Sequence, residues 1–133
     1  MARSLSEVME AIAVYYDSPL EATDELYTME IPVGEDGRTQ VVRGMITEDH
    51  RGREALVIFT ITGEWSNNVD AGELLELNLR APYVKIAKMD DKIIVCGEQL
   101  MESCQVAEVV NLVEEIASFG DFLEESLFGV DEY

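Results

Sequence analysis

The chain has 133 residues, 47% of them hydrophobic, and its 28 acidic residues against 9 basic ones give a net charge of -19. That length fits a single domain over residues 1–133 with a buried core, and the apolar share argues against disorder. The charge excludes polyanionic partners, because binding DNA, RNA or anionic lipid requires Lys and Arg to neutralise phosphates. The basic residues are also confined. Apart from Arg3, all lie between Arg38 and Lys92, so both flanks carry one sign only. Apolar runs fall well short of the ~18 residues that span a bilayer, and the start, Met-Ala-Arg-Ser, lacks the apolar stretch of a signal peptide. Cys96 and Cys104 match no zinc or redox spacing. The expectation is a soluble cytoplasmic protein with reduced thiols, no nucleic-acid or membrane partner and no cofactor.

In chain order, Leu5, Val8, Met9, Ile12 and Tyr15 or Tyr16 recur at helical spacing, and Ser4 with Glu7 forms a capping box. Pro19 stops that helix. Tyr27, Met29, Ile31 and Val33 alternate with polar residues as in a half-buried strand. After the turn residues 34–37 a second strand runs through Val41, Val42, Met45 and Ile46. Residues 49–52 form another turn, and Ala55 to Trp65 is rich in β-branched and aromatic residues, as expected of a central strand. Asp70 and Glu73 cap a short helix to about Leu79, and Pro82 forbids its extension. Tyr83–Met89 and Lys92–Leu100 pair around Asp90-Asp91 as a tight hairpin. Ser103 is placed to cap a last helix whose stripe is Val106, Val109, Val110, Val113, Ile116, Ala117, Gly120 and Leu127. Short connections make antiparallel pairs, so the fold class is α+β, an antiparallel β-sheet with packed helices in the order α-β-β-β-α-β-β-α.

No motif for catalysis stands out. His50 is the single histidine, so Ser-His or Cys-His chemistry has to use it, yet it sits in a charged turn with no nucleophile elbow. Cys104, at a helix start, is the more reactive thiol; Cys96 lies within a strand. Glu48-Asp49 and Asp90-Asp91 are acidic turns without the alternating ligands of a calcium loop. Gly34-Glu35-Asp36-Gly37 lacks the Lys of a phosphate loop. Glu114, Glu115, Glu124, Glu125, Asp131 and Glu132 read as a solvated helix face and tail, although their unopposed sign suits a basic partner. An enzyme reading remains as the alternative: a carboxylate-based site, with or without a metal.

The segment Leu74-Leu75-Glu76-Leu77-Asn78, followed by Tyr83-Val84-Lys85-Ile86-Ala87-Lys88-Met89-Asp90-Asp91-Lys92-Ile93-Ile94-Val95, resembles the middle of YbjN-like proteins. Size, acidity and element order are similar to those of class I type III secretion chaperones. The likeness implies a homodimeric, non-enzymatic protein that binds another polypeptide, basic or partly unfolded, across apolar patches. On that reading Tyr27, Met29, Ile31 and Trp65 are the partner-binding residues. Trp65 has a second reading as a core or rim residue.

The middle helix carries its own expectation. At 100° per residue Ala71, Leu74, Leu75, Leu77 and Leu79 spread over an arc wider than the roughly 100° stripe a helix on a sheet needs. Leu74, Leu75 and Leu79 are therefore expected at a dimer interface, where a closed symmetric assembly buries the excess. The alternative is a helix tucked under the last helix of its own chain.

Overall fold

A computed structural model describes residues 4–128, with side chains through residue 126. The first helix, α1 (Leu5–Tyr16), starts where expected. Ser4 Oγ accepts from the Glu7 N–H at 3.2 Å, and Glu7 Oε1 accepts from the Ser4 N–H at 3.3 Å. Such a reciprocal pair satisfies two donors that a helix start leaves open. Asp17, at φ 50°, ends the helix two residues ahead of Pro19. Val8, Met9, Ile12 and Ala13 form its buried stripe.

The strands are β1 (Glu21–Thr23), β2 (Leu26–Val33), β3 (Arg38–Glu48), β4 (Glu54–Glu64), β5 (Lys85–Met89) and β6 (Lys92–Leu100). They form one sheet in the order β1-β2-β3-β4-β6-β5, and every neighbouring pair is antiparallel. Turn chemistry sets the hairpins. Asp90 adopts φ 54° in the two-residue link between β5 and β6, where Met89 pairs with Lys92. In the β3–β4 turn, Asp49 Oδ1 accepts from the N–H groups of Arg51 at 2.8 Å and Arg53 at 2.9 Å. These bonds and the Arg53 guanidinium hold the Asp49 carboxyl below the usual carboxylate range, with the Arg53 backbone bond the largest cause.

Between β4 and β5 lies α2 (Ala71–Leu77), whose N-cap Asp70 accepts from the Glu73 N–H at 3.2 Å. It tightens into a 3-10 turn over Asn78–Arg80 before Pro82. The last helix, α3 (Val106–Leu123), crosses the sheet over β2, β3, β4 and β6 and closes in a wide π-type turn over Glu124–Phe128. Its side-chain cap is not Ser103. A 3-10 turn, Met101–Ser103, absorbs that residue, and Gln105 occupies the N-cap position without a side-chain bond.

The observed order differs from expectation by one strand. β1 is three exposed residues without apolar alternation, too short to register in a pattern of period two. The fold class stands: an antiparallel sheet with helices packed on one face.

That face holds the main core. Met29, Ile31, Val42, Leu56, Ile58, Ile93 and Val95 meet Val8, Met9 and Ile12 of α1 and Val109, Val113 and Ile116 of α3, all at 1% exposure or less. Burying each such side chain stabilises the fold by roughly 1.5–3 kcal/mol. Close approach fixes the helix seats: a Cβ on Gly97 would lie 2.6 Å from Leu112 Cδ1, and one on Gly44 2.7 Å from Met9 Sδ. The opposite face carries a second cluster, Val57, Phe59, Ile94 and Cys96, edged by Leu26, Met45, Ile61, Ala87 and Met89.

Candidate interaction surface

The segment from α2 to β5 is built to leave apolar side chains outside. Leu74 turns into the core at 7% exposure, while Leu75, one residue on, is 68% exposed. The tightening after Leu77 carries Leu79 outward to 89% and Tyr83 to 70%. Asn78 fixes this arrangement. Its Oδ1 accepts from the Ile86 N–H at 2.6 Å, and its Nδ2 donates to the Ile86 carbonyl at 3.4 Å. The Asn78 amide therefore stands where a further strand would pair with the edge strand β5.

Beside this segment lies an apolar recess of about 190 Å³, whose walls include Trp65, Leu74, Leu75, Ile86 and Ile93. Trp65 is half-buried against the main core, and Lys88 Nζ sits 5.8 Å from its ring centroid. A positive charge at that distance is attracted by the ring quadrupole and keeps one side of the recess polar.

A wider acidic groove of about 550 Å³ runs between β6 and α3, with Leu112 and Tyr83 beside Glu98, Glu108, Glu114 and Glu115. Lys85 reaches Glu98 at 2.9 Å across the outer surface, and this bond raises the lysine pKa. The last turn of α1 exposes Val14 at 79% and Tyr15 at 63%.

The expected partner contacts divide. Met29 and Ile31 are each 1% exposed beneath the helices, so they leave no surface for a partner. The alternation of β2 marks the face they share correctly, but α1 and α3 cover that face. Tyr27 and Trp65 are half-buried at the edge of the same core. Of the expected dimer contacts, Leu74 belongs to its own chain's core, and Leu75 and Leu79 are exposed. Tyr83, expected from the sequence only as a neighbour of Trp65 in an aromatic anchor, is itself the exposed member. Val14 is not singled out by the sequence, because it lies off the stripe of α1.

The candidates for chemistry stay apart from any assembled centre. His50 is exposed at the tip of the β3–β4 turn. Cys96 is buried on the outer face of β6, where desolvation first, and Glu98 second, push its thiol up to about 11. Cys104 is half-buried in the link into α3 rather than at the helix start itself. Among the described residues no group of three or more His, Cys, Asp or Glu side chains could hold a metal ion. Nor is any described helix long and apolar enough to cross a membrane. Asp131 and Glu132 of the acidic tail lie outside the described residues, as does the side chain of Leu127.

Comparison with family models and with curated sequences gives no match, so the YbjN-like resemblance of the middle segment carries no membership. Solved structures do share the fold. A chain of the HopA1–SchA chaperone–effector complex superposes with a TM-score of 0.58 at 12% identity, covering 90% of this chain and 92% of that one. A chain from the complex of the Yersinia pestis type III secretion chaperone SycH with a stable fragment of YscM2 gives a TM-score of 0.51 at 15% identity, covering 83% and 91%. The chain therefore has the type III secretion chaperone-like α+β fold.

Proposed function

We propose that this chain is a non-enzymatic, homodimeric, chaperone-like protein that binds an extended or partly unfolded polypeptide in the cytoplasm. The observation that carries the reading is the exposed apolar set, Leu75, Leu79 and Tyr83 on one segment with Val14 and Tyr15 on α1, on a chain of net charge -19. Large apolar side chains left outside on such an acidic surface mark contact sites. The shared fold supports the reading, since both similar chains come from complexes of a chaperone with another protein. Leu75 and Leu79, beside the apolar recess, are the dimer contacts on this reading. Each Leu removed from water there contributes roughly 1.5–3 kcal/mol. The polypeptide then lies over α1 and the acidic groove, where basic side chains of the partner meet Glu98, Glu108, Glu114 and Glu115.

A photo-crosslinking residue placed at Val14, Tyr15 or Tyr83 tests the polypeptide site in cells. One discrete protein adduct at these positions, with none from an exposed control at Thr39 or Thr47, is expected. Equal labelling at site and control positions would overturn it.

A further inference from the structure

The inner face of the sheet turns polar where the last turns of α3 cross it. Gln40, Thr60 and Thr62 are fully buried at positions that the alternation of β3 and β4 assigns to the core. Opposite them, Gly120 lies so close that a Cβ there would sit 2.5 Å from Thr60 Cγ2. Gln40 Nε2 donates to Thr60 Oγ1 at 3.0 Å and to Oε1 of Glu124, itself fully buried. Thr60 Oγ1 donates onward to the Val41 carbonyl at 2.7 Å. The single oxygen of the Gln40 amide, Oε1, is buried and has no hydrogen-bond partner among the described residues.

The rim of this contact is ionic. Arg38 pairs with Asp121 at 3.0 Å, with Asp36 and with Glu125. One cation thus holds carboxylates at the negative end of a helix whose last turn has no basic residue of its own. Upstream, the apolar burial of Val109, Val113 and Ile116 dominates the seat of α3; beyond Gly120 the buried apolar anchor among the described residues is Leu123.

We propose that the end of α3, from Gly120 through the wide turn Glu124–Phe128, is a strap that opens as a unit while the rest of the fold stays closed. Buried polar and ionic contacts gain little over solvation, and on opening both the Gln40 amide oxygen and the Glu124 carboxylate recover water. Loss of Leu123 burial keeps the open form minor, yet opening breaks far fewer apolar contacts than unfolding. Ser126 of the strap walls a recess of about 370 Å³ that also includes Val69, Asp70, Glu73 and Leu74. Opening removes that wall and gives access to the recess from the side of α3.

Amide hydrogen exchange on the full chain tests this. In the unmutated protein the amides of residues 120–124 should exchange at least tenfold faster than those of β4. Their rates should also be insensitive to low denaturant, while β4 follows global unfolding. Gln40→Leu with Glu124→Leu, which replaces the polar pair by apolar groups, should slow exchange at 120–124 by tenfold or more. Arg38→Gln, a half-exposed position, should speed it. Matching protection and denaturant dependence for residues 120–124 and β4 in the unmutated protein would overturn the proposal. So would unchanged exchange in Arg38→Gln.

Discussion

Replacing Asn78 by Ala removes both bonds that tie the turn after α2 to the edge of the sheet. The Ile86 N–H then loses an acceptor at 2.6 Å, and its carbonyl loses a donor at 3.4 Å. Ile86 is only 9% exposed, so water replaces the lost acceptor poorly. A buried donor left without a partner costs about 1–3 kcal/mol, and the longer second bond adds little. A loss of about 2 kcal/mol divided by a urea m-value of about 2 kcal/mol/M lowers the unfolding midpoint by about 1 M. The measurement is urea unfolding followed by far-UV circular dichroism, at one fixed protein concentration so that any self-association is held constant. Asn78→Asp retains the acceptor and should lose less than half as much. A shift below about 0.3 M for Asn78→Ala, given the same m-value, would refute the assignment of Asn78 as the edge cap.

Gly120→Ala should destabilise the fold by about 1–3 kcal/mol through overpacking against Thr60, and the added cost should shrink in the Thr60→Ser background. A full cost retained in that background, read by the same unfolding assay, would place the clash elsewhere. Cys96 should resist Ellman's reagent at pH 8 in the folded protein, because burial raises its thiol to about 11; rapid labelling of both cysteines without unfolding would contradict this. Tyr16 has its pKa raised, by burial first and then by the Glu114 carboxylate. Its contribution is therefore intact below its ordinary value near 10 and is lost as pH climbs above it, because the unfolded chain ionises first. Tyr16→Phe should delay alkaline unfolding, and an unchanged alkaline midpoint would remove Tyr16 as the cause.

Much of the architecture is legible in the residues, and the exceptions have physical causes. The capping box at Ser4 and Glu7, the Asp70 cap and the Asp90-Asp91 hairpin are local chemistry, and each forms as its sequence dictates. The stripe of α1 is legible to its end: of the two candidates Tyr15 and Tyr16, Tyr16 packs on the core and Tyr15 stays exposed. Ser103 is captured by a 3-10 turn that a capping pattern cannot foresee. The candidate site was harder to read. Alternation shows that Met29 and Ile31 share a face, but not that two helices lie on it. The apolar arc of α2 announces an excess of leucine, and packing alone decides that Leu74 turns inward while Leu75 and Leu79 stay outside. Gln40 and Thr60 look like outward residues by composition and are the centre of a buried polar contact, fixed by a glycine eighty residues away in Gln40's case.

The molar mass in solution tests the account most directly. Light scattering on the purified protein at micromolar concentration should give the mass of two 14.9 kDa chains. Leu75→Asp and Leu79→Asp should each shift it toward one chain with circular dichroism unchanged, since both side chains are exposed in the single chain and an unpaired charge is costly only once buried between copies. A single-chain mass for the unmutated protein would contradict the dimer and the role assigned to the leucines of α2 and its following turn.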